Sequence, residues 1–228
     1  DYANTVLSEY DKLKKEIDMI RASEEGTVEL LVAYDILRYL TPDCILEFQK
    51  KYPNVTFSYM EYPDRIVEKM LLDKEGNVAL SIGPFAGDCF DMKSLKKCSL
   101  GLLVYEEHSL AKKREATILD LEGEPLYLEN SSFKLNEFIQ SRCWNRGFEP
   151  DIVFETNGFD LCYKMCRLKR GISVTIDFVH EDMNTEGLVM IPFAEDDMIW
   201  EIGLLTLKDR AMESSVEKFY KYIENYNS

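Results

Sequence analysis

Few residues of this 228-residue chain stand at a spacing that would support catalysis. The two histidines, His108 and His180, belong to no Gly-x-Ser-x-Gly or similar motif, so a nucleophile–histidine triad is not expected. His108 reads as a surface loop residue. Neither a Gly-x-Gly-x-x-Gly turn nor a Walker loop occurs, which removes the usual signals for dinucleotides and nucleoside triphosphates. Cys162 and Cys166 sit four apart, on one face of a helix, but partner ligands for zinc are not evident. A redox pair there would need a lowered thiol pKa, which only Lys164 and Arg167 are placed to promote. The acidic runs Glu181-Asp182 and Glu195-Asp196-Asp197 read as solvated loops. What remains is a set of small polar side chains: Ser81, Asn130, Ser131, Ser132, Thr156 and Asn157. Their hydroxyl and amide groups can bind a carboxylate or hydroxyl, and can equally cap helices or shape turns. No catalytic residue, metal site or cofactor is assigned.

The element that must position these groups begins at Gly26. Val28, Leu30 and Val32 alternate with Thr27, Glu29 and Leu31 as in a strand, and Ile36, Tyr39, Leu40, Ile45 and Phe48 then recur near helical spacing. Asp35 stands where that helix starts, and its carboxylate is expected to cap free N–H groups. Pro53 ends the helix and leads to a second strand at Val55. A helix started by Pro63 and Asp64 should turn Ile66, Val67, Met70 and Leu71 inward, and Asn77–Pro84 should be a third strand with its exit loop. Further strands are expected at 99–105, 125–129, 171–176, 187–193 and from 198. A helix ending at Gly147 should bury Leu135, Phe138, Ile139, Cys143 and Trp144. Others are expected at 159–168 and about 211–226. Alternating short strands and helices argue for an α/β fold with mainly parallel sheets.

Before Gly26, Ala3, Val6, Tyr10, Leu13, Ile17 and Ile20 follow the alternating three-four spacing of a coiled-coil seam. With 46% hydrophobic residues the chain can bury one large core or two smaller ones. A net charge of −15 repels phosphate backbones, so DNA contact would need another module. No apolar run is long enough to cross a bilayer. Six cysteines, mostly in apolar segments, fit reduced cytoplasmic thiols better than a disulfide framework. A start at Asp1 fits either a piece of something longer or a mature product with its signal removed.

Taken in order, Gly26, Pro42, Phe48 and Tyr52-Pro53-Asn54-Val55, then Asn77-Val-Ala-Leu, Leu119-Asp-Leu-Glu-Gly-Glu-Pro-Leu-Tyr-Leu, Phe148-Glu-Pro-Asp-Ile-Val and Gly171-Ile-Ser-Val resemble the effector-binding domain of LysR-type transcriptional regulators. Asn77 replaces the usual Asp, and the family's amino-terminal helix-turn-helix is absent. The resemblance implies two Rossmann-like lobes of the type 2 periplasmic-binding-protein kind, joined by a two-stranded hinge. Residues 1–24 would be a linker and dimerisation helix pairing through Val6, Tyr10, Leu13, Ile17 and Ile20. Residues 25–100 and 193–228 would form lobe I, and 101–192 lobe II. It also implies no catalysis, a cytoplasmic homo-oligomer (dimer or tetramer) off the membrane, and DNA contact only through a domain missing from this chain. The effector would lie between the lobes at strand-end loops, against Tyr34, Asp35, Ile36, Ser81, Gly83, Pro84, Asn130, Ser131, Ser132, Phe133, Thr156 and Asn157, with Thr175 at a fifth loop. The first turn often carries Ser or Thr in the family. Tyr34 and Asp35 in their place disfavour a simple anion and suit an amine, a polyhydroxyl or an aromatic effector. The alternatives are a transporter solute-binding protein and an enzyme on the same scaffold.

Overall fold

The computed structural model describes residues 26–85 and 88–226, together with residues 6–7, 9–10 and 12–14. Val6, Tyr10 and Leu13 are helical and exposed. Ala3, Ile17 and Ile20 lie outside the described residues.

The strand opening at Gly26 is β1 (Thr27–Ala33), flanked on both sides by parallel neighbours, β2 (Thr56–Tyr62) and β3 (Val78–Ile82). A strand in that position is covered on both faces, so Leu31 is buried as fully as Leu30 and Val32, and the expected alternation survives only at Glu29. The single helix expected next is two: α1 (Ile36–Leu40) and α2 (Asp43–Lys51). Pro42 has no N–H to continue the ladder, and the residue before it, Thr41, leaves the helical region with φ 59°. Asp35 does stand at the N-terminus of α1, but with φ 69° its side chain makes no capping bond. The next helix, α3 (Asp64–Leu72), buries Val67 and Leu71 as expected, but it buries Asp64 and Glu68 as well and leaves Ile66 exposed.

The strand expected at 99–105 is the end of a longer one, β4 (Phe90–Tyr105). Its first ten residues pair antiparallel with β9 (Ile199–Leu207), and from Leu100 onward it pairs with β7 (Ile172–Ile176) and β8 (Leu188–Pro192). At 90–98 the alternation of polar and apolar residues is broken at Lys93-Ser94 and Lys96-Lys97, where the pairing register shifts between Ser94 and Lys96, and this hides the stretch. β5 (Pro125–Glu129) and β6 (Asp151–Thr156) complete the second half, and the sheet order is β2-β1-β3-β9-β4-β7-β5-β6, with β8 on β4. Pairs β1–β2, β1–β3, β5–β6 and β5–β7 are parallel; every pair made by β4 or β9 is antiparallel. The fold is therefore mixed α/β, with the antiparallel strands where the chain crosses between halves.

Helices cover both halves. In the first, α7 (Ser214–Tyr226) packs on β1 and α2, and Phe48 meets Phe219 edge-on at 5.0 Å. Each such fully buried ring contributes about 2–3 kcal/mol through the area it removes from water. In the second, α4 (Lys134–Asn145), α5 (Phe159–Arg167) and α6 (Asp177–Asp182) follow β5, β6 and β7. On α4 the inward stripe is Leu135, Ile139 and Cys143, spaced by four. Trp144 falls one position off it and is 56% exposed, contrary to expectation. His108 is also not a surface residue: it is buried, its Nδ1 accepts from Leu110 N at 3.2 Å, and its ring meets Tyr105.

Candidate functional site

The carboxyl ends of β1, β3, β5 and β7 and the amino ends of α1, α3, α4 and α5 converge between the two halves on a cavity of about 20 Å3, room for about one water. Of the residues expected to hold a ligand, Tyr34, Asp35, Ile36 and Phe133 line it, with the Tyr34 and Phe133 rings 6.2 Å apart. Tyr34 and Asp35 also face an open depression of about 500 Å3 at the cavity's mouth, shared with Asn157 and Thr41. Asn130 Nδ2 donates to Asn157 Oδ1 at 2.6 Å, and Ser132 N donates to Asn130 Oδ1 at 2.8 Å, so these three hold their loops together. Ser131 is exposed beside them. Gly83 N donates to Glu201 O at 2.7 Å, and the bond to Pro84 is cis. Pro84 faces another depression, of about 470 Å3, with Arg65 and Lys134. Three hydroxyls expected to face a ligand are buried and engaged inside the fold. Ser81 Oγ donates to Glu68 Oε1 at 3.0 Å, Thr156 Oγ1 to Gly158 O at 2.7 Å, and Thr175 Oγ1 shares a 2.9 Å bond with the Tyr163 hydroxyl.

Ion pairs join the halves on either side of the cavity. At the mouth, Arg38 on α1 reaches Asp35 at 2.5 Å in its own half, and Asp182 at 2.6 Å and Asp160 at 3.5 Å in the other. Burial raises the Asp35 pKa despite that guanidinium. On the far side Lys134, the first residue of α4, enters the first half, where its ammonium meets Glu68, donates to Ile82 O at 2.7 Å and lies 4.8 Å over the Phe85 ring. Its backbone N–H donates to Asp64 Oδ1 at 3.0 Å. Burial pushes the Asp64 carboxyl up to about 6, offset in part by Lys134.

Two buried polar atoms on residues lining the cavity have no partner among the described residues: Glu129 Oε1 and the indole N–H of Trp200. Burial, with Asp35 and Asp64 nearby, holds the Glu129 carboxyl well above the usual carboxylate range. Sequence reasoning missed Arg38, Asp64, Glu68, Glu129 and Lys134. The one available signal was a carboxylate closing the otherwise apolar run Leu126-Tyr-Leu-Glu129. At the cysteine pair burial pushes Cys162 up to about 11 and raises Cys166 further, which disfavours a reactive thiolate there. Among the described residues no group of side chains is arranged to hold a metal ion, and no helix is long and apolar enough to cross a membrane.

Comparison with known proteins gives this geometry a family. The LysR substrate binding domain family matches residues 21–227. The HTH-type transcriptional regulator YwbI of Bacillus subtilis is 25% identical over 185 residues, covering 81% of this chain and 62% of that protein, so the chain spans less than two thirds of that relative. The transcriptional dual regulator GltC of the same organism is 23% identical over 229 residues, covering 100% of this chain and 76% of GltC. In fold, the chain resembles the CcmR regulatory domain of Synechocystis PCC6803 solved in complex with 2-PG, with a TM-score of 0.77 at 16% identity over 87% of this chain and 95% of that one. The relatives are transcriptional regulators, which favours that reading over a transporter solute-binding protein. A mixed α/β fold with its carboxyl strand ends facing across a cleft, and a family match over nearly its whole length, show that the chain belongs to the LysR substrate binding domain family.

Proposed function

We propose that the chain senses a small metabolite in the cleft and passes its opening or closing to a DNA-binding domain carried elsewhere in the full protein. The observation that carries this is the meeting of strand ends and helix N-termini from both halves around one cavity, tied across by Arg38 and Lys134. A ligand there favours one arrangement of the halves only through contacts that differ between arrangements. Solved relatives support the reading in kind, since CcmR was seen with 2-PG. The cavity holds about one water, so the body of a ligand must lie in the depression outside it unless the halves part. In this reading residues 1–24 pair two subunits through Val6, Tyr10, Leu13, Ile17 and Ile20. Lobe I comprises 25–100 with 193–228, lobe II comprises 101–192, and the protein works in the cytoplasm as a dimer or tetramer without catalysing a reaction.

The test is calorimetric titration of the chain with a panel of small metabolites, repeated on Tyr34→Ala, whose side chain is 41% exposed and contributes little to the core. A cleft effector binds the wild type and loses at least tenfold in affinity on the variant. Binding indifferent to Tyr34 and to Phe133→Ala puts the ligand elsewhere and overturns the reading. Light scattering on 1–228 and on a chain starting at Gly26 tests the pairing, which fails if both have the same mass.

A further inference from the structure

We propose that the effector carries a primary ammonium group, which enters the cavity and binds Glu129 with Asp35 and Asp64 beside it, while its body lies in the mouth against Tyr34. This rests on the effector-binding reading above and specifies the ligand's chemistry. Three observations lead to it. Glu129 is buried, yet one carboxyl oxygen has no partner among the described residues, and an unmet polar atom of that kind is costly to keep. The charged groups that act on it are both carboxylates, Asp35 and Asp64. The two cations at the cleft are already engaged: Arg38 with Asp35, Asp160 and Asp182, and Lys134 with Glu68 and the Ile82 carbonyl.

Size and surroundings narrow the cation. The cavity of about 20 Å3 admits a group no larger than water, which an ammonium matches and a guanidinium exceeds. Among the described residues no cluster is arranged to hold a metal ion. The depression of about 500 Å3 outside is wide enough for the effector's body, and its walls carry Glu61 together with Asp35, Asp160 and Asp182 gathered around the cation Arg38. Tyr34 lines both the cavity and the depression, its ring lies 6.2 Å from that of Phe133, and such ring faces suit a cation. A carboxylate effector would have the unpartnered Trp200 N–H as a donor but would lie beside the Asp35 and Asp64 carboxyls and a Glu129 that has no positive charge to offer it; like charges in so enclosed a place outweigh one neutral hydrogen bond.

Glu129 holds its proton more tightly than a free carboxyl while the cavity is empty. An arriving ammonium favours the carboxylate, so binding releases part of a proton to the buffer, and Arg38 and Lys134, already paired, do not supply that response.

The experiment uses three probes of one shape, benzylamine, benzoate and benzyl alcohol, titrated into the full chain at about 0.15 M salt to screen the acidic surface. Each is run in buffers of differing ionisation enthalpy to count protons. Benzylamine is expected to bind saturably with proton release, and Glu129→Gln to weaken it tenfold or more and abolish the release while unfolding as cooperatively as wild type. Benzylamine binding unchanged by Glu129→Gln overturns the proposal. Tyr34-dependent binding of benzoate with benzylamine inert overturns the cation and leaves the effector reading standing. No response to any probe also overturns the cation, and the metabolite panel then decides the effector reading by itself.

Discussion

Asp64→Asn is expected to stabilise the protein at neutral pH and to leave it unchanged near pH 4. The carboxyl is buried at the start of α3, and burial raises its pKa from 3.8 unfolded to about 6 folded, with Lys134 opposing the rise. A group that holds its proton more tightly when folded favours folding while protonated. Its contribution is complete below about pH 4 and is lost as pH climbs through 6. The two pKa values place that loss at about 3 kcal/mol by pH 7. Asn keeps the shape and the carbonyl oxygen that accepts from Lys134 N at 3.0 Å, and it has no charge to bury. Lys134 retains Glu68 as its counter-ion. Urea unfolding of wild type and variant at pH 4 and pH 7.5 measures this: at pH 7.5 the variant's midpoint should rise by about 1 M, and at pH 4 the two should coincide. The wild type's own pH slope also contains Glu129, so the comparison is made at each pH. A variant less stable than wild type at pH 7.5, or displaced equally at both pH values, would refute the idea that a desolvated charge at this position costs stability.

Two more outcomes follow from the same interior. Lys134→Met strips a buried Glu68 of its cation and should cost about 3–5 kcal/mol, a melting temperature lower by about 10 °C, while adding Glu68→Gln should restore much of it; a double variant no better than the single one argues against the pair. A thiol-reactive chromogenic disulfide should modify exposed Cys89 within minutes and Cys162 and Cys166 only on unfolding, because burial removes them from solvent and raises their pKa. A second fast equivalent at either position would sink that reading.

The cleft's rim was legible before any coordinates because it is built from local signals. Tyr34 and Asp35 follow an apolar strand and precede a helix, Phe133 ends a polar turn, and both turns come out at the cavity. What local pattern misjudged were residues whose environment comes from distant chain. Ile66 and Trp144 are apolar and near the inward stripe of their helices, yet they are exposed. Asp64, Glu68 and Lys134 look like surface charges on amphipathic helices, and His108 like a loop residue. The bonds that join Asp64 and Glu68 to Lys134 span 70 and 66 residues, beyond the reach of any helical or strand period, while the neighbours of His108 named above, Leu110 and Tyr105, are local.

From sequence alone came the α/β alternation, the strand-end loops, the absence of catalytic and nucleotide-binding motifs and the resemblance that the family match bears out. These rest on spacing along the chain and on the backbone preferences of Gly and Pro. Tertiary structure alone decided which charges are buried, which cations join the halves, and that Glu129 lines a closed cavity with one carboxyl oxygen unpartnered among the described residues. The reason is physical: burying apolar surface pays off almost wherever a period permits it, whereas a charge tolerates burial only where another part of the chain brings a counter-ion or a ligand does.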